Sequence, residues 1–376
     1  MIITQSQSVS DSPTPVRLHY PQAEGAAQAV DPGKVLVSFL VSPINPQDLL
    51  VIAGRYPVKP SYTHDGEPVL GYDGVARVEV VGVESSSSMA PTPTSALRPG
   101  DLVIPRRHGL GTWRSQAILN SADVIRLSPT DDLIGASLLR MAFLPAYLLV
   151  EDVRALKPGD WIVQNIGSGT IAQLVSQFAR IKGVHTVSIV RDRSLEALET
   201  LKSDLLKDGV DAILTESDLQ ARGADAHPAL ADAAGRNRVA LAIDGVFGEP
   251  GERLASLLSH GGTYVNYGSL GGADAVLRLS QRLLFWSEVK FRNFRLSEQL
   301  SQRTPAQLES LLLWFQDLLA QGALVTPKVQ TIQVPISVEG RNDFEQSINV
   351  AVSSGSGAGV GDAKHVLGFV HTLARH

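Results

Sequence analysis

Residues Lys157-Pro158-Gly159-Asp160-Trp161-Ile162-Val163-Gln164-Asn165-Ile166-Gly167-Ser168-Gly169-Thr170-Ile171-Ala172 decide how this chain is read. Lys157 to Asp160 is a Pro-Gly turn, and the apolar run 161–165 after it has strand character. A glycine turn follows, then a helical period over 171–182, then a second strand at 186–190. Strand, Gly-turn, helix and strand within about thirty residues make one βαβ unit, the opening of a dinucleotide-binding sheet.

The turn Gly167-Ser168-Gly169-Thr170-Ile171-Ala172 departs from G-x-G-x-x-G only at Ala172. Alanine is tolerated there because it still lets helix and strand pack closely. The two glycines permit close backbone approach, and a helix starting near Thr170 points its first amides at a phosphate. Alone this is a weak signal, since such turns also serve as plain connections. The second strand, however, ends in Arg191-Asp192-Arg193. An acidic residue there would bond a ribose 2′-hydroxyl, whereas neighbouring arginines accommodate a 2′-phosphate. That pattern implies NADPH; the bland alternative is a solvated charged loop.

Upstream, short strands at 34–40, 75–81 and 102–104 alternate with turns, and 84–96 is a Ser/Pro/Thr-rich loop. Downstream, strands at 240–244 and 263–267 alternate with helices, which implies a parallel sheet covered on both faces. An amphipathic helix at 305–321 precedes two strands and a short helix. Residues 353–359 form a low-complexity loop, and 364–373 a candidate terminal strand. The fold class is α/β. Residues 129–300 are expected to form the nucleotide-binding domain, and 1–128 with 301–376 a β-rich one.

Composition excludes several classes. The chain has 376 residues, 44% hydrophobic and 19% charged, with a formal net charge of −5, so no basic nucleic-acid footprint is present. Cysteine is absent, which removes disulfides, thiolate nucleophiles and cysteine-ligated metals. His64, His108, His185, His227 and His260 show no clustered ligand spacing, so no metal is expected. No apolar run reaches the ~18 residues of a membrane span. Residues 1–16 resemble neither a secretory signal nor an Arg-rich presequence. An intracellular protein is expected, cytoplasmic, or mitochondrial if a presequence has been removed.

Several stretches together resemble a known family. Gln164-Asn165 before Gly167-Ser168, with Gln173, and Val190-Arg191-Asp192-Arg193 are similar to the mitochondrial trans-2-enoyl-CoA reductases, especially the fungal ones. So are Gly109-Leu110-Gly111-Thr112-Trp113-Arg114, Ile44-Asn45-Pro46-Gln47-Asp48 and Tyr56-Pro57-Val58-Lys59-Pro60. These are zinc-free members of the medium-chain dehydrogenase/reductase superfamily. The resemblance implies a GroES-like catalytic domain, a Rossmann doubly wound domain, NADPH and a homodimer. It assigns Tyr56 as proton donor, Gly167, Ser168, Gly169 and Thr170 as the pyrophosphate loop, and Arg191, Asp192 and Arg193 as the 2′-phosphate reader. Tyr267, Gly268, Ser269 and Leu270 match a loop beside the cofactor. Phe294, Arg295 and Leu296 match a Phe-Trp-Leu element, and Lys364 matches a lysine that approaches the cofactor.

The chemistry fits those residue types. Saturating a conjugated thioester needs a hydride at the β-carbon and a proton at the α-carbon. A tyrosine is protonated at neutral pH and can donate. Departures lie at the reacting end. Gly71-Tyr72-Asp73-Gly74 stands for Gly-Asn-Glu-Gly, and Ala142-Phe143-Leu144-Pro145-Ala146-Tyr147 for Asn-Pro-x-Thr-Ala-Tyr. Arg295 replaces the tryptophan, and it is expected to project toward cofactor or an oxygen-rich substrate, with a buried guanidinium needing a partner. The expected activity is NADPH-dependent reduction of an activated double bond, in an enoyl thioester or an enone, with a secondary-metabolism tailoring reductase one version. The alternative is a fold-retaining non-redox cyclase or isomerase, or a protein that only binds NADP.

Overall fold

A computed structural model of the chain describes residues 1–5, 16–20, 29–54, 56, 58–82, 97–231, 238–272, 274–335, 340–354 and 364–369. The loop expected at 84–96 and most of 353–359 lie outside these residues. The chain forms two compact units. One comprises Met1–Met141 with Lys328–Gly359 and Ala363–His376; the other is built from Ala142–Pro327. The boundaries therefore fall near 141 and 327, where the sequence reading put them at 128 and 300. Helix Pro305–Ala320 belongs with the nucleotide-type unit.

In that unit a parallel six-stranded sheet is flanked by helices. Its strands in chain order are Trp161–Gln164, His185–Val190, Ala212–Thr215, Val239–Asp244, Thr263–Asn266 and Lys290–Asn293, and their spatial order is 3-2-1-4-5-6. This is the doubly wound order whose reversal, between strands 1 and 4, opens a ligand crevice at the carboxyl ends. Every residue of Val239–Asp244 is buried, as expected of a central strand covered on both faces. Helix Thr170–Ile181 turns Ala172, Leu174, Val175, Phe178 and Ala179 inward, the i, i+3, i+4, i+7 stripe that gives it its place.

The other unit is a mixed seven-stranded sheet. Strand Lys34–Pro43 pairs antiparallel with Val75–Val81, Gln116–Asn120 and Lys364–Phe369. Strand Val329–Val334 runs parallel to Lys364–Phe369. Helix Arg341–Ser354, longer than the sequence suggested, contributes Phe344, Ile348, Ala351 and Val352 to a core shared with Val35, Val37 and Phe39.

One helix bears on the reading of the sequence on membranes without overturning it. Leu133–Glu151 is helical for 19 residues with mean hydropathy 1.8, long and apolar enough to cross a bilayer. Most of it, 83%, is buried inside the protein, which is how a core helix also looks. It is interrupted at Leu139–Phe143 by a π-helical turn, a feature often found at functional positions. That turn carries Arg140, the only charged residue between Leu133 and Val150.

Candidate active site

In the doubly wound unit, the glycine turn is locked from beneath. Gly167 accepts no side chain, because a Cβ there would stand 2.7 Å from Ser188 Cβ and 3.0 Å from Ile189 O. Its N–H donates to Ile189 O at 2.8 Å. Ile166, just before it, has φ +53°, a costly conformation for a β-branched residue and one that recurs at ligand-binding turns. Buried Gln164 braces the turn from behind, its Nε2 donating to Ala172 O, Ser176 Oγ and Ser188 Oγ at 2.9 to 3.0 Å. Gln173 Nε2 holds Ser168 O at 2.8 Å.

The neighbouring turn, after strand Val239–Asp244, is fastened by Asp244. That carboxylate accepts from Val246 N, Phe247 N, Asn165 Nδ2 and the Tyr264 hydroxyl. Asn165 Oδ1 accepts from Gly245 N at 2.9 Å. Tyr267, Gly268, Ser269 and Leu270 follow the next strand, Thr263–Asn266, and pack against this turn: Leu270 N donates to Gly245 O at 3.1 Å, and a Cβ at Gly245 would meet Tyr267 Cζ at 2.9 Å. Burial, reinforced by Asp244, keeps the Tyr267 hydroxyl well above its ordinary pKa. The sequence-predicted 167–170 and 267–270 segments thus lie at the same end of the sheet, on either side of the turn after Val239–Asp244.

Arg191-Asp192-Arg193 emerges from the next strand. Arg193 Nη1 donates to Arg191 O at 2.9 Å and its Nη2 to Ser168 Oγ at 3.5 Å. Asp192 is turned away, accepting Ser217 N at 3.2 Å at the start of helix Glu216–Arg222. With the carboxylate so engaged, the groups beside Ser168 are cationic.

Phe294, Arg295 and Leu296 do not behave as one element. Phe294 is buried and its N–H donates to Asn266 O at 2.8 Å. Arg295 is exposed, its side chain at 66%, and pairs with Glu298 three residues on. The expected buried guanidinium is therefore corrected: the chain starts helix Leu296–Ser301 at this point, and Arg295 takes a local partner in solvent.

The β-rich unit brings the family-like stretches together. Gly71, at φ +96°, cannot carry a Cβ, which would lie 2.4 Å from Thr112 Oγ1 and 2.6 Å from Trp113 N. Segment 71–74 is thereby seated on 109–114, with Thr112 Oγ1 donating to Asp73 O at 2.6 Å. Tyr72 OH donates to Val58 O at 2.5 Å, and its ring meets Tyr56 edge-on at 5.7 Å. Arg140 Nη2 donates to Tyr72 O at 2.8 Å. Lys364 Nζ donates to Asn45 Oδ1 at 2.7 Å, and Asp48 Oδ2 accepts Asn45 N at 2.8 Å.

A buried ionisable cluster surrounds Tyr56 and Tyr72, and the sequence reading missed it. Asp48, Asp73 and Arg140 are 0%, 0% and 2% exposed. Arg140 Nε lies 3.7 Å from Asp73 Oδ1. Both Asp73 carboxylate oxygens and Arg140 Nε and Nη1 lack a well-aligned hydrogen bond among the described residues, with only the looser approach of the Gly74 and Met141 amides to Asp73, an arrangement that calls for an explanation. Burial pushes Asp48 up to about 7 and Asp73 up to about 6, the latter held back by Arg140. Burial lowers Lys364 to about 8 against the pull of Asp48 and Asp73. Burial and Arg140 lower His108 to about 3, so its ring is neutral. Burial also raises Tyr56, with Arg140 opposing and Asp48 assisting. Its hydroxyl therefore keeps its proton at neutral pH. The sequence signal for this cluster was a lone charge in an apolar run, at Arg140, and carboxylates flanked by loop glycine and proline.

Comparison with known proteins follows the same lines. No protein-family model matches the chain. The human mitochondrial enoyl-acyl-carrier-protein reductase is 32% identical over 326 residues, 87% of this chain and 81% of that protein. The Kluyveromyces lactis protein of the same name is 30% identical over 324 residues, covering 83% and 80%. Among solved structures, the Candida tropicalis mitochondrial 2-enoyl thioester reductase Etr1p/Etr2p heterodimer superposes with TM-score 0.78 at 23% identity over 98% of both chains. The Etr1p complex with NADP and crotonyl-CoA gives TM-score 0.78 at 22% identity and the same coverage.

Proposed function

The chain belongs to the family of mitochondrial enoyl-acyl-carrier-protein reductases, and from that premise we propose that it is an NADPH-dependent reductase of 2-enoyl thioesters. The observation that supports the cofactor choice is Arg193 beside the glycine turn, its Nη2 donating to Ser168 Oγ at 3.5 Å. The donor set fits a phosphorylated dinucleotide: the amides opening helix Thr170–Ile181 after Gly167, Ser168 and Gly169 suit the pyrophosphate, and Arg191 and Arg193 suit the 2′-phosphate. The turn at Tyr267, Gly268, Ser269 and Leu270 adds a second wall, and Lys364 belongs to the reacting end. When bound, NADPH supplies the hydride for the β-carbon.

The protein's own part is the proton. Tyr56, half-buried and protonated, gives its hydroxyl proton to the α-carbon of the enolate. Arg140 and Lys364 supply positive charge near it that favours the enolate's negative charge. Tyr72, by binding Val58 O, holds the loop on which Tyr56 sits. Because Arg295 is solvated, nothing on the element 294–296 calls for an unusual oxygen-rich substrate, and simple enoyl thioesters on a carrier protein or coenzyme A are the substrate class. In keeping with its relatives, the chain is placed in mitochondria.

The homodimer proposal rests on the sheet edge. Strand Lys290–Asn293 ends the parallel sheet, and just before it Leu284, Phe285 and Trp286 are 49%, 66% and 69% exposed. An open edge beside exposed aromatics calls for a cover, and a second copy of the chain provides one of matching geometry.

The test is loss of absorbance at 340 nm with crotonyl-CoA and NADPH. Turnover with NADPH well above that with NADH is expected; no oxidation of either across a panel of enoyl thioesters overturns the proposal. A second reading, non-redox chemistry on the retained fold, is favoured by the apolar, fully buried Ala142, Phe143 and Leu144 in place of the family's polar residues. Product formation without absorbance loss would select it.

A further inference from the structure

His19 and His64, 45 positions apart in sequence, meet in the β-rich unit. Strands Ile2–Gln5 and Val16–His19 form one antiparallel pair, and Thr63–His64 with Glu67–Pro68 form another. The two imidazoles contact edge-to-face with centroids 4.7 Å apart. Asp65 sits in the turn of the second pair at φ +50°, followed by Gly66, and its carboxylate comes within 3.7 Å of His64 Nε2. One ligand atom from each of His19, His64 and Asp65 lies within 4.8 Å of the other two.

A layer of hydrogen-bonded groups lies behind His19. Thr4, fully buried, donates its hydroxyl proton to Glu67 Oε2 at 2.7 Å. The same Thr4 oxygen lies 2.8 Å from His19 Nε2. Having given its proton to Glu67, it accepts from His19, so Nε2 carries the hydrogen. Glu67 Oε2 also lies 3.4 Å from His19 Nε2, and Arg17 binds its other oxygen at 2.8 Å. With Arg17 on one oxygen and Thr4 donating to the other, Glu67 faces His19 as an acceptor, which favours the Nε2–H tautomer. That leaves the lone pair of His19 Nδ1, which has no partner among the described residues, for a cation. A histidine whose far nitrogen is fixed by a carboxylate is the usual outer layer of a protein metal site, where it orients the ring and raises its basicity.

From this arrangement we propose that His19, His64 and Asp65 form a divalent transition-metal site, taking Zn²⁺ as the best match among common cations. Two imidazoles and one carboxylate are a borderline donor set. Three protein ligands leave a fourth position of the tetrahedron to water. Tetrahedral bonds of about 2.0–2.2 Å need ligand atoms about 3.3 Å apart. The ligand atoms lie within 4.8 Å of one another, so binding requires a closure of up to about 1.5 Å, and Asp65 is largely exposed on a two-residue turn. The site is independent of the reductase reading, which requires no metal.

The test is calorimetric titration of the chelator-treated full chain with Zn²⁺, with Co²⁺ absorption as a second readout. Since the chain has no cysteine, any tetrahedral Co²⁺ band comes from nitrogen and oxygen donors. One saturable site is expected. His19→Ala and His64→Ala should each weaken it at least about 100-fold, and Thr4→Val about 10–100-fold, the range for losing an orienting partner. His185→Ala, which removes another histidine paired to a carboxylate (Asp211 at 2.8 Å), should change nothing. If His19→Ala lowers the melting temperature, His64→Asn and Asp65→Asn on the hairpin decide instead, Asn being at ease in the left-handed turn. Absence of saturable binding by the native chain, or unchanged affinity in the His64 and Asp65 variants, overturns the proposal.

Discussion

Lys364 Nζ donates to Asn45 Oδ1 at 2.7 Å, although 319 residues separate them. The same ammonium reaches Ile44 O at 3.3 Å. This contact ties the late strand Lys364–Phe369 to the start of helix Pro46–Ile52, and it places a cation near the buried carboxyls of Asp48 and Asp73. The cluster around Tyr56 is therefore assembled from the two ends of the chain.

Asp48→Asn tests the protonation of that cluster. The folded chain holds the Asp48 proton up to about pH 7, the unfolded chain only to about 3.8. The native state thus binds the extra proton between those values, and wild-type stability loses this contribution as pH rises through the window. Asparagine has no such loss. Relative to wild type, the variant should gain stability steadily from about pH 4 to about pH 7, at up to about 1.4 kcal/mol per unit, and stay level above. His108, which pushes wild-type stability the opposite way, is common to both proteins and drops out of the difference. Denaturant melts at pH 4.5, 6 and 7.5 measure it; a difference flat in pH would show Asp48 to be ionised throughout.

Arg193→Ala should discriminate between nicotinamide cofactors. The arginine reaches Ser168 of the loop and Arg191 O, and a charged hydrogen bond of this kind is worth about 1.5–3 kcal/mol. NADPH affinity should fall about 10–100-fold while NADH affinity moves little. Equal losses for both would mean that Arg193 only shapes the loop. Arg295→Ala is the control: its exposed pair with Glu298 contributes at most about 1 kcal/mol, and neither cofactor affinity nor crotonyl-CoA turnover should change.

Trp286→Glu addresses assembly. Trp286 and Phe285 lie next to the edge strand and are exposed at 69% and 66%. A charge there should not disturb the core of the unit, but it would be desolvated under a second copy. Light scattering should show the native mass as a dimer and the variant mass as a monomer at micromolar concentration. A variant that stays dimeric would move the interface elsewhere.

The sequence made the doubly wound unit legible because its signals are local. The strand at 161–164, its glycine turn and the helix after it follow from period and turn chemistry within about twenty contiguous residues. Strand Lys34–Pro43 was readable for the same reason. Arg140, Asp48 and Asp73 were not, because no local pattern says which buried turn of a helix faces which loop. His19 and His64 escaped for that reason too: ligand spacing is visible in sequence only when one element carries both ligands, and here two hairpins share them. Arg295 is exposed where a buried guanidinium was expected, because alignment to a family element says nothing about a local carboxylate three residues away that offers an easier partner.

Tyr56→Phe is the decisive variant for the reductase reading. The Tyr56 ring is half-buried, edge-on to Tyr72 at 5.7 Å, and phenylalanine preserves that packing while removing only the hydroxyl. Burial raises the hydroxyl above its ordinary range, Arg140 partly opposing, so it acts as a donor across neutral pH. A positioned acid contributes about 10²–10⁴-fold, and kcat with crotonyl-CoA should drop by that amount with melting temperature and NADPH affinity unchanged. The turnover of the native chain should fall in two alkaline steps, the first near pH 8 as Lys364 loses its charge and the second above the ordinary tyrosine range. In the phenylalanine variant that second alkaline limb should vanish, because the group responsible is gone. If the variant instead turns over normally with the limb intact, the proton comes from another donor, and the buried Asp48 and Asp73 carboxyls, raised toward neutrality beside it, become the next residues to replace.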